Sequence, residues 1–224
     1  MADSLEVSNN HSADTSFIAN YLQKKSLNKE DKLCLQTVLV HKYLELQAWD
    51  ICLNYCYKNV EEAHKIADFY SEAFFTKNIG NTFYHIKKSD KAVEYWQKAI
   101  ALSVAKNILE MEEVCLQNIA AVYMEKAEKY DVAEKYLLRS IEIAKLRKTE
   151  NSSTARGHYR LLATLYDHTN RFRKSATIYE QLIKEARAAK DTGILIESLI
   201  FYATSLSYSN KTKLDNAITL CKEA

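Results

Sequence analysis

The chain has no proline, and its 224 residues include only three glycines, Gly80, Gly157 and Gly193. Without these punctuating residues, strands joined by tight turns are excluded as the main architecture, and a nearly all-helical protein is expected. Neither sign of charge dominates: 31 Lys and Arg face 29 Asp and Glu. That balance argues against a nucleic-acid binder, which carries a marked basic excess. Long apolar runs are missing too. The most apolar stretch, Ile194 to Leu206, is interrupted by Glu197, Ser198, Thr204 and Ser205, so it is too short and too polar to span a bilayer. No basic start leads into an apolar run, so no signal peptide is expected. A soluble, cytoplasmic protein follows, with at most peripheral membrane contact.

Catalytic patterns are also missing. There is no Gly-rich phosphate loop, no G-x-S-x-G and no H-E-x-x-H. The six histidines, His11, His41, His64, His85, His158 and His168, are scattered one to a segment. The five cysteines, Cys34, Cys52, Cys56, Cys115 and Cys221, form no C-x-x-C. Cys52 and Cys56 lie one helical turn apart and offer two ligands to a metal, but no third ligand completes a site, and small core residues are the expectation. Reduced thiols suit a cytosolic compartment. No enzyme activity, catalytic residue, cofactor or metal is expected.

What the sequence does contain is a repeated helical hairpin. In Asn78 to Ile100, Gly80, Phe83 and Tyr84 share one helix face. Across a polar turn at Lys87 to Asp90, Ala92, Tyr95, Trp96, Ala99 and Ser103 share another, at i, i+3, i+4 and i+7 spacing. Gly80 and Ala92 are small where two helices cross closely, and Phe83, Tyr95 and Trp96 fill the space beside them. The pattern returns in Asn118 to Ser140, in Leu161 to Leu182 around the turn His168 to Arg171, and in Ile200 to Leu220. Its small residue falls at Ala92, Ala133, Ala176 and Ala217, at steps of 41, 43 and 41. This resembles the tetratricopeptide (TPR) hairpin, whose period is about 34 residues. The excess adds roughly one turn to each helix. The expected fold is an all-α, right-handed TPR-like α-solenoid of long antiparallel helix pairs. It runs as one domain over residues 14–224, behind a mobile tail of residues 1–13.

Local signals fill in the rest. A short first helix is expected around Phe17, Ile18, Tyr21 and Leu22. Asn28 is the N-cap of the next, with Asp31 at N3. Trp49, Leu53, Cys56 and Tyr57 follow, and Ala63, Ala67, Tyr70, Phe74 and Phe75 carry the pattern to Gly80, with Phe74 and Phe75 in the core. The connection Thr149 to Ser153 and the run Asp191-Thr192-Gly193 each cap a helix, and Thr212 to Asp215 resembles a capping box. Tyr43, Tyr95, Tyr123, Tyr136, Tyr166 and Tyr179 fall at repeat-packing positions. A solenoid of this kind offers a curved, mostly polar surface, so protein binding is the expected function.

Several strings also resemble the soluble NSF-attachment protein (SNAP) family. Gly80-Asn81-x-Phe83, then Lys91-Ala92-x-Glu94 and Ala99-Ile100, is similar to G-N-x-F-K-K…Q-E-A-I…R-A-I-E-I-Y. Ile119-Ala120-x-Val122-Tyr123 is similar to I-A-E-I-Y, Asn151-Ser152-Ser153-x-Ala155-Arg156 to N-S-S-A-N-K, and Lys174-x-Ala176-x-x-Tyr179-Glu180-Gln181 to Q-K-A-I-D-I-Y-E-Q. The resemblance covers about Val40 to Ala217. It implies a cytosolic adaptor that binds SNARE bundles in vesicle-mediated protein transport and membrane fusion, with an NSF-type ATPase as second partner. It implies Arg156 as a partner-binding residue. Val114 and Glu197 stand at two other positions where the family is basic, and the family's Phe-rich membrane loop has only Phe17-Ile18 as a poor counterpart. Its ATPase-engaging helices are expected to lie beyond Ala224. The alternative is a generic TPR-like scaffold that binds an unrelated protein or peptide, as a cytoskeletal or bacterial regulator.

Overall fold

The computed structural model describes residues 15–23, 26–209, 219 and 222. The expected tail (1–13), the Thr212–Asp215 cap, Ala217 and Cys221 lie outside the described residues. Helix α1 covers residues 15–23. It is followed by α2 (Lys29–Glu45), α3 (Trp49–Lys65), α4 (Phe69–His85), α5 (Ser89–Lys106) and α6 (Leu109–Met124). A 3₁₀ turn, Ala127–Lys129, leads into α7 (Tyr130–Leu146), α8 (Ser153–His168), α9 (Phe172–Ala189) and α10 (Thr192–Ser209). Among the described residues there is no strand. The chain divides into two compact units, Met1–Met111 and Glu112–Ala224.

The connections are short, and almost all are closed the same way. Gln47, Ala67, Lys87, Asn107, Lys148, Asn170 and Lys190 each adopt the left-handed conformation, with φ from 54° to 62°. The next N–H then returns to a carbonyl five residues back, as in Lys88 N to Phe83 O at 2.9 Å and Arg171 N to Tyr166 O at 2.7 Å. This is the bond that ends helices in a Schellman motif, usually with glycine at the left-handed position. None of the seven is glycine. The break at Ala67 divides what the sequence pattern reads as one run from Ala63 to Gly80. Ser89, Asp90 and His168, expected in turns, are helical instead.

Helix starts follow side-chain chemistry. Asn28 Oδ1 accepts from Asp31 N at 2.8 Å, Ser152 Oγ from Ala155 N at 3.1 Å, and Asp191 Oδ1 from Ile194 N at 3.1 Å. Each satisfies one of the N–H groups that a helix start leaves unpaired.

One spacing repeats inside the hairpins. Cys52, Cys56, Asn59 and Ala63 are buried on α3 at positions 0, 4, 7 and 11 of a common frame. Ala92, Trp96, Ala99 and Ser103 on α5, Ala133, Leu137, Ser140 and Ala144 on α7, and Ser175, Tyr179, Leu182 and Ala186 on α9 match it position for position. Successive starts therefore differ by 40, 41 and 42 residues. This corrects one expectation: Ser175, fully buried, holds the place assigned to Ala176, which is only half-buried. Serine is nearly as small as alanine, and its hydroxyl donates to Asp167 Oδ1, so it fits a close crossing.

The close approach is tightest between α4 and α5. A Cβ added at Gly80 would stand 2.6 Å from Trp96 Cδ1 and Nε1 and 3.1 Å from Ala92 O. Trp96 is held in place, donating through Nε1 to Asn81 Oδ1 at 3.0 Å. Aromatic pairs join the two helices of successive hairpins: Tyr43 with Tyr55 at 5.8 Å, Phe83 with Tyr95 at 5.4 Å, and Tyr123 with Tyr136 at 5.9 Å between ring centres. Phe74 and Phe75 are buried.

Candidate partner-binding site

The connection between α7 and α8 positions the site in the second unit. Lys148 turns the chain, Thr149 N returns to Ala144 O at 2.8 Å, and Ser152 N bonds Thr149 O at 2.9 Å. Glu150 and Asn151 are carried on this short arch. Arg156, one turn into α8, braces it from within: Nη1 donates to Asn151 O at 2.6 Å, and Nη2 donates to Asp191 Oδ2 at 3.1 Å. Arg156 is 7% exposed. The backbone N–H of Ile194 and the Arg156 guanidinium together hold the Asp191 carboxyl below its ordinary value. Sequence reasoning placed Arg156 on a binding face. The structure places its guanidinium against Asn151 and Asp191, where it ties the arch to the start of α10. The bond to Asp191 spans 35 residues, which no local motif announces.

Beside the arch lies a groove of about 350 Å³ between α7, α8 and α9. Ile178 and Leu182 of α9 are its apolar residues, and Tyr159 of α8 contributes an aromatic ring. Polar groups converge from three elements: Lys145 of α7, Glu150 and Asn151 of the arch, and Thr177, Gln181 and Glu185 of α9. Gln181 Nε2 donates to Glu185 Oε1 at 2.5 Å. Glu150 Oε2 is buried without a hydrogen-bond partner. Burial, then the charges of Glu185 and Glu150, push the Tyr159 hydroxyl above its ordinary value, so it remains a donor at neutral pH. Sequence reasoning missed this groove. Its residues come from four stretches whose alignment depends on the helix register.

Apart from the groove, the second unit holds charged groups in its interior. Glu113, fully buried, accepts from Arg147 Nη1 and lies 2.8 Å from His158 Nε2, also fully buried. Burial opposes the Glu113 carboxylate, but His158 and Arg147 outweigh it and hold the carboxyl below its ordinary value. Glu112, 4% exposed, pairs with Arg139 at 3.1 Å. Asp167 accepts from Ser175, Ser205 and Tyr179 and so ties α8, α9 and α10 together. The His158–Glu113 pair has the residue types of a general-base dyad. Both members are sealed from solvent, so a substrate cannot reach them.

Other candidate residues take structural places. Cys52 and Cys56 are both fully buried, with Thr82 Oγ1 donating to Cys52 Sγ at 3.4 Å. Among the described residues, no group of three or more His, Cys, Asp or Glu is arranged to hold a metal. Tyr166 and Tyr179 are buried, and Tyr43, Tyr95, Tyr123 and Tyr136 are half-buried. Val114 is half-buried, and Glu197 pairs with Arg160 at 3.2 Å. No described helix is long and apolar enough to cross a membrane.

No protein-family model and no curated protein matches this sequence. Solved structures do match. The structure superposes on BtubC (BKLC) from P. vanneervenii with a TM-score of 0.81, at 14% identity, over 96% of this chain and 88% of that one. It is also similar to a Podosopora anserina putative kinesin light chain with nearly identical TPR-like repeats, with a TM-score of 0.68, 13% identity, and coverage of 88% and 96%. The Rap conjugation gene regulator of plasmid pLS20, solved in complex with the Phr* peptide, gives 0.70 at 16% identity, covering 99% and 60%. The fold is a TPR-like helical solenoid. At these identities the likeness establishes the architecture alone, an all-α stack of long antiparallel helix pairs.

Proposed function

We propose that this chain is a non-catalytic scaffold that binds a protein or peptide partner, with the α7–α8–α9 groove as part of its contact surface. The groove carries the proposal: an apolar strip beside converging polar groups, Glu150 among them without an internal partner for one oxygen, is what a specific binding surface needs. A structural relative held with a peptide supports it at the level of fold.

Two partners suit this scaffold equally. The first is a SNARE bundle, with the chain acting as a SNAP-like adaptor in vesicle transport and membrane fusion, cytoplasmic or peripheral on membranes, and an NSF-type ATPase engaged second. The matching strings around Gly80, Ile119, Asn151 and Lys174 support it. The second is an unrelated peptide or protein bound in the manner of a general TPR-like scaffold. Arg156 contributes to either as a positioning residue, by holding Asn151 and hence the groove's arch.

Capture by immobilised assembled SNARE bundles, compared with single SNARE helices, separates the two. Preferential capture that weakens with salt supports the adaptor, since attraction between exposed charges is screened. Equal, negligible capture of both removes the SNARE partner and leaves the second. Arg156→Glu lowers partner capture in either case, and Arg156→Lys restores part of it. Melting of both variants is followed so that lost folding is not mistaken for lost binding.

A further inference from the structure

We propose that the α7–α8–α9 groove takes a basic side chain, arginine or lysine, presented by the bound partner peptide; this rests on the scaffold reading above. Three observations converge. Two carboxylates, Glu150 and Glu185, line the groove against one cation, Lys145, so its charge balance is negative. Glu150 Oε2 is buried and accepts no hydrogen bond. A carboxylate left without an internal donor favours an approaching cationic one, which the half-buried Glu150 side chain can turn to meet. The Tyr159 ring lies among these acids, close enough that both carboxylates raise the pKa of its hydroxyl. An aromatic face beside carboxylates suits a guanidinium or ammonium through cation–π attraction.

The apolar residues complete the fit. Ile178 and Leu182 offer a surface for the methylene stem of a long basic side chain, whose charged head then reaches the acids. A volume of about 350 Å³ is at the small end of ligand sites, suited to a single side chain rather than a large cofactor. An acidic or purely apolar side chain is disfavoured. The first is repelled by Glu150 and Glu185, and the second leaves Glu150 Oε2 unpaired.

The test uses the full chain, labelled with ¹⁵N, and two probes of nearly equal shape: Nα-acetyl-arginine methylamide and its uncharged citrulline counterpart. The arginine probe is expected to produce saturable amide shifts in residues 149–151, 159 and 177–185. The citrulline probe is expected to bind about tenfold more weakly, as befits loss of a charge-assisted hydrogen bond. Glu150→Gln and Glu185→Gln each reduce the arginine response, with circular dichroism unchanged. If Glu150→Gln fails to fold, Glu185→Gln and Tyr159→Leu carry the test. Equal binding of the two probes, shifts only elsewhere, or no arginine response overturns the proposal. Partner capture is measured separately. Capture without an arginine response removes the groove and leaves the scaffold, and an arginine response without any capture removes the scaffold.

Discussion

The two units use the same hairpin and fill it differently. Among the described residues of Met1–Met111 the buried polar ones are all uncharged, Gln36, Asn59, Ser71, Asn78, Thr82 and Ser103 among them. Gln36 Nε2 donates to Asn59 Oδ1 at 2.7 Å, and aromatic rings fill much of the rest. In Glu112–Ala224 the buried set includes Glu112, Glu113, Arg156 and His158. Neutral amides and hydroxyls satisfy one another at modest cost, whereas buried ions are stable only with their partners in place. The first unit is therefore built for tolerance of local change and the second for dependence on particular pairs. The groove and its bracing arginine are in the second.

The strongest way to break this contrast is Glu113→Ala. It leaves the Arg147 guanidinium and the His158 ring without their shared carboxylate. Removing one member of a buried pair costs about 3–5 kcal/mol. The lower end is expected here, because Arg147 is 26% exposed and can recover some hydration. Chemical denaturation should show that loss. A change below about 1 kcal/mol would mean that the buried charges do not hold the second unit together.

Gly80→Ala is the matching test in the first unit, with a smaller effect. The added methyl meets the Trp96 ring at 2.6 Å, and that ring is 2% exposed and hydrogen-bonded to Asn81. Overpacking costs about 1–3 kcal/mol, partly offset by roughly 1 kcal/mol of better helix propensity. A net loss with altered Trp96 fluorescence is expected. Unchanged stability and fluorescence would show that α4 and α5 have room to part.

Acid should separate the units more gently. The folded state holds Glu113 below its ordinary value of 4.5. Its stabilisation is present above that value and is lost as pH falls through and below it, because the unfolded chain takes up the proton first. Asp191, held below 3.8, acts in the same direction at lower pH. Hydrogen exchange of α8, corrected for the intrinsic rate, should lose protection as pH falls below the ordinary carboxylate range before α3 does; α4 is no reference, because its cap Asp68 is itself held below its ordinary value. Simultaneous loss would contradict the contrast.

How much of this was legible depends on range. The Gly80, Ala92 and Trp96 crossing could be read from i, i+4 spacing, and Asn28 and Asp191 announced themselves as caps. The α3 member of the repeat was obscured because cysteines and Asn59 stand where later repeats carry Ala, Leu, Trp and Ser. The third hairpin slipped by one residue because Ser175 and Ala176 are adjacent and both small. Ion pairs such as His158–Glu113, 45 residues apart, need the helix register before they can be seen. The groove combines that difficulty with an arch whose shape comes from a left-handed Lys148, and lysine gives no sign of that conformation.

The smallest expected effect concerns what the units share. Lys87→Gly in the first and Lys190→Gly in the second replace a strained left-handed residue, φ 62° and 55°, with one that adopts it freely. Each should gain about 0.5–1 kcal/mol, the strain relieved less the greater freedom of the unfolded chain. A gain in only one unit would show that the turns, too, are held differently.

Those turns have a consequence for how freely the sequence can vary. A bend closed by backbone hydrogen bonds makes little demand on the side chain at its apex, so Gln, Ala, Lys and Asn all serve there. The helix faces between bends ask mainly for small or bulky at fixed intervals, without naming the residue. Mutations can accumulate in such a chain with few positions under chemical veto, and lineages can exchange nearly all their letters while the bends stay in place. The 13–16% identity that accompanies three good superpositions is the level of likeness such latitude permits. Architecture here is carried by the rhythm of the bends rather than by their vocabulary.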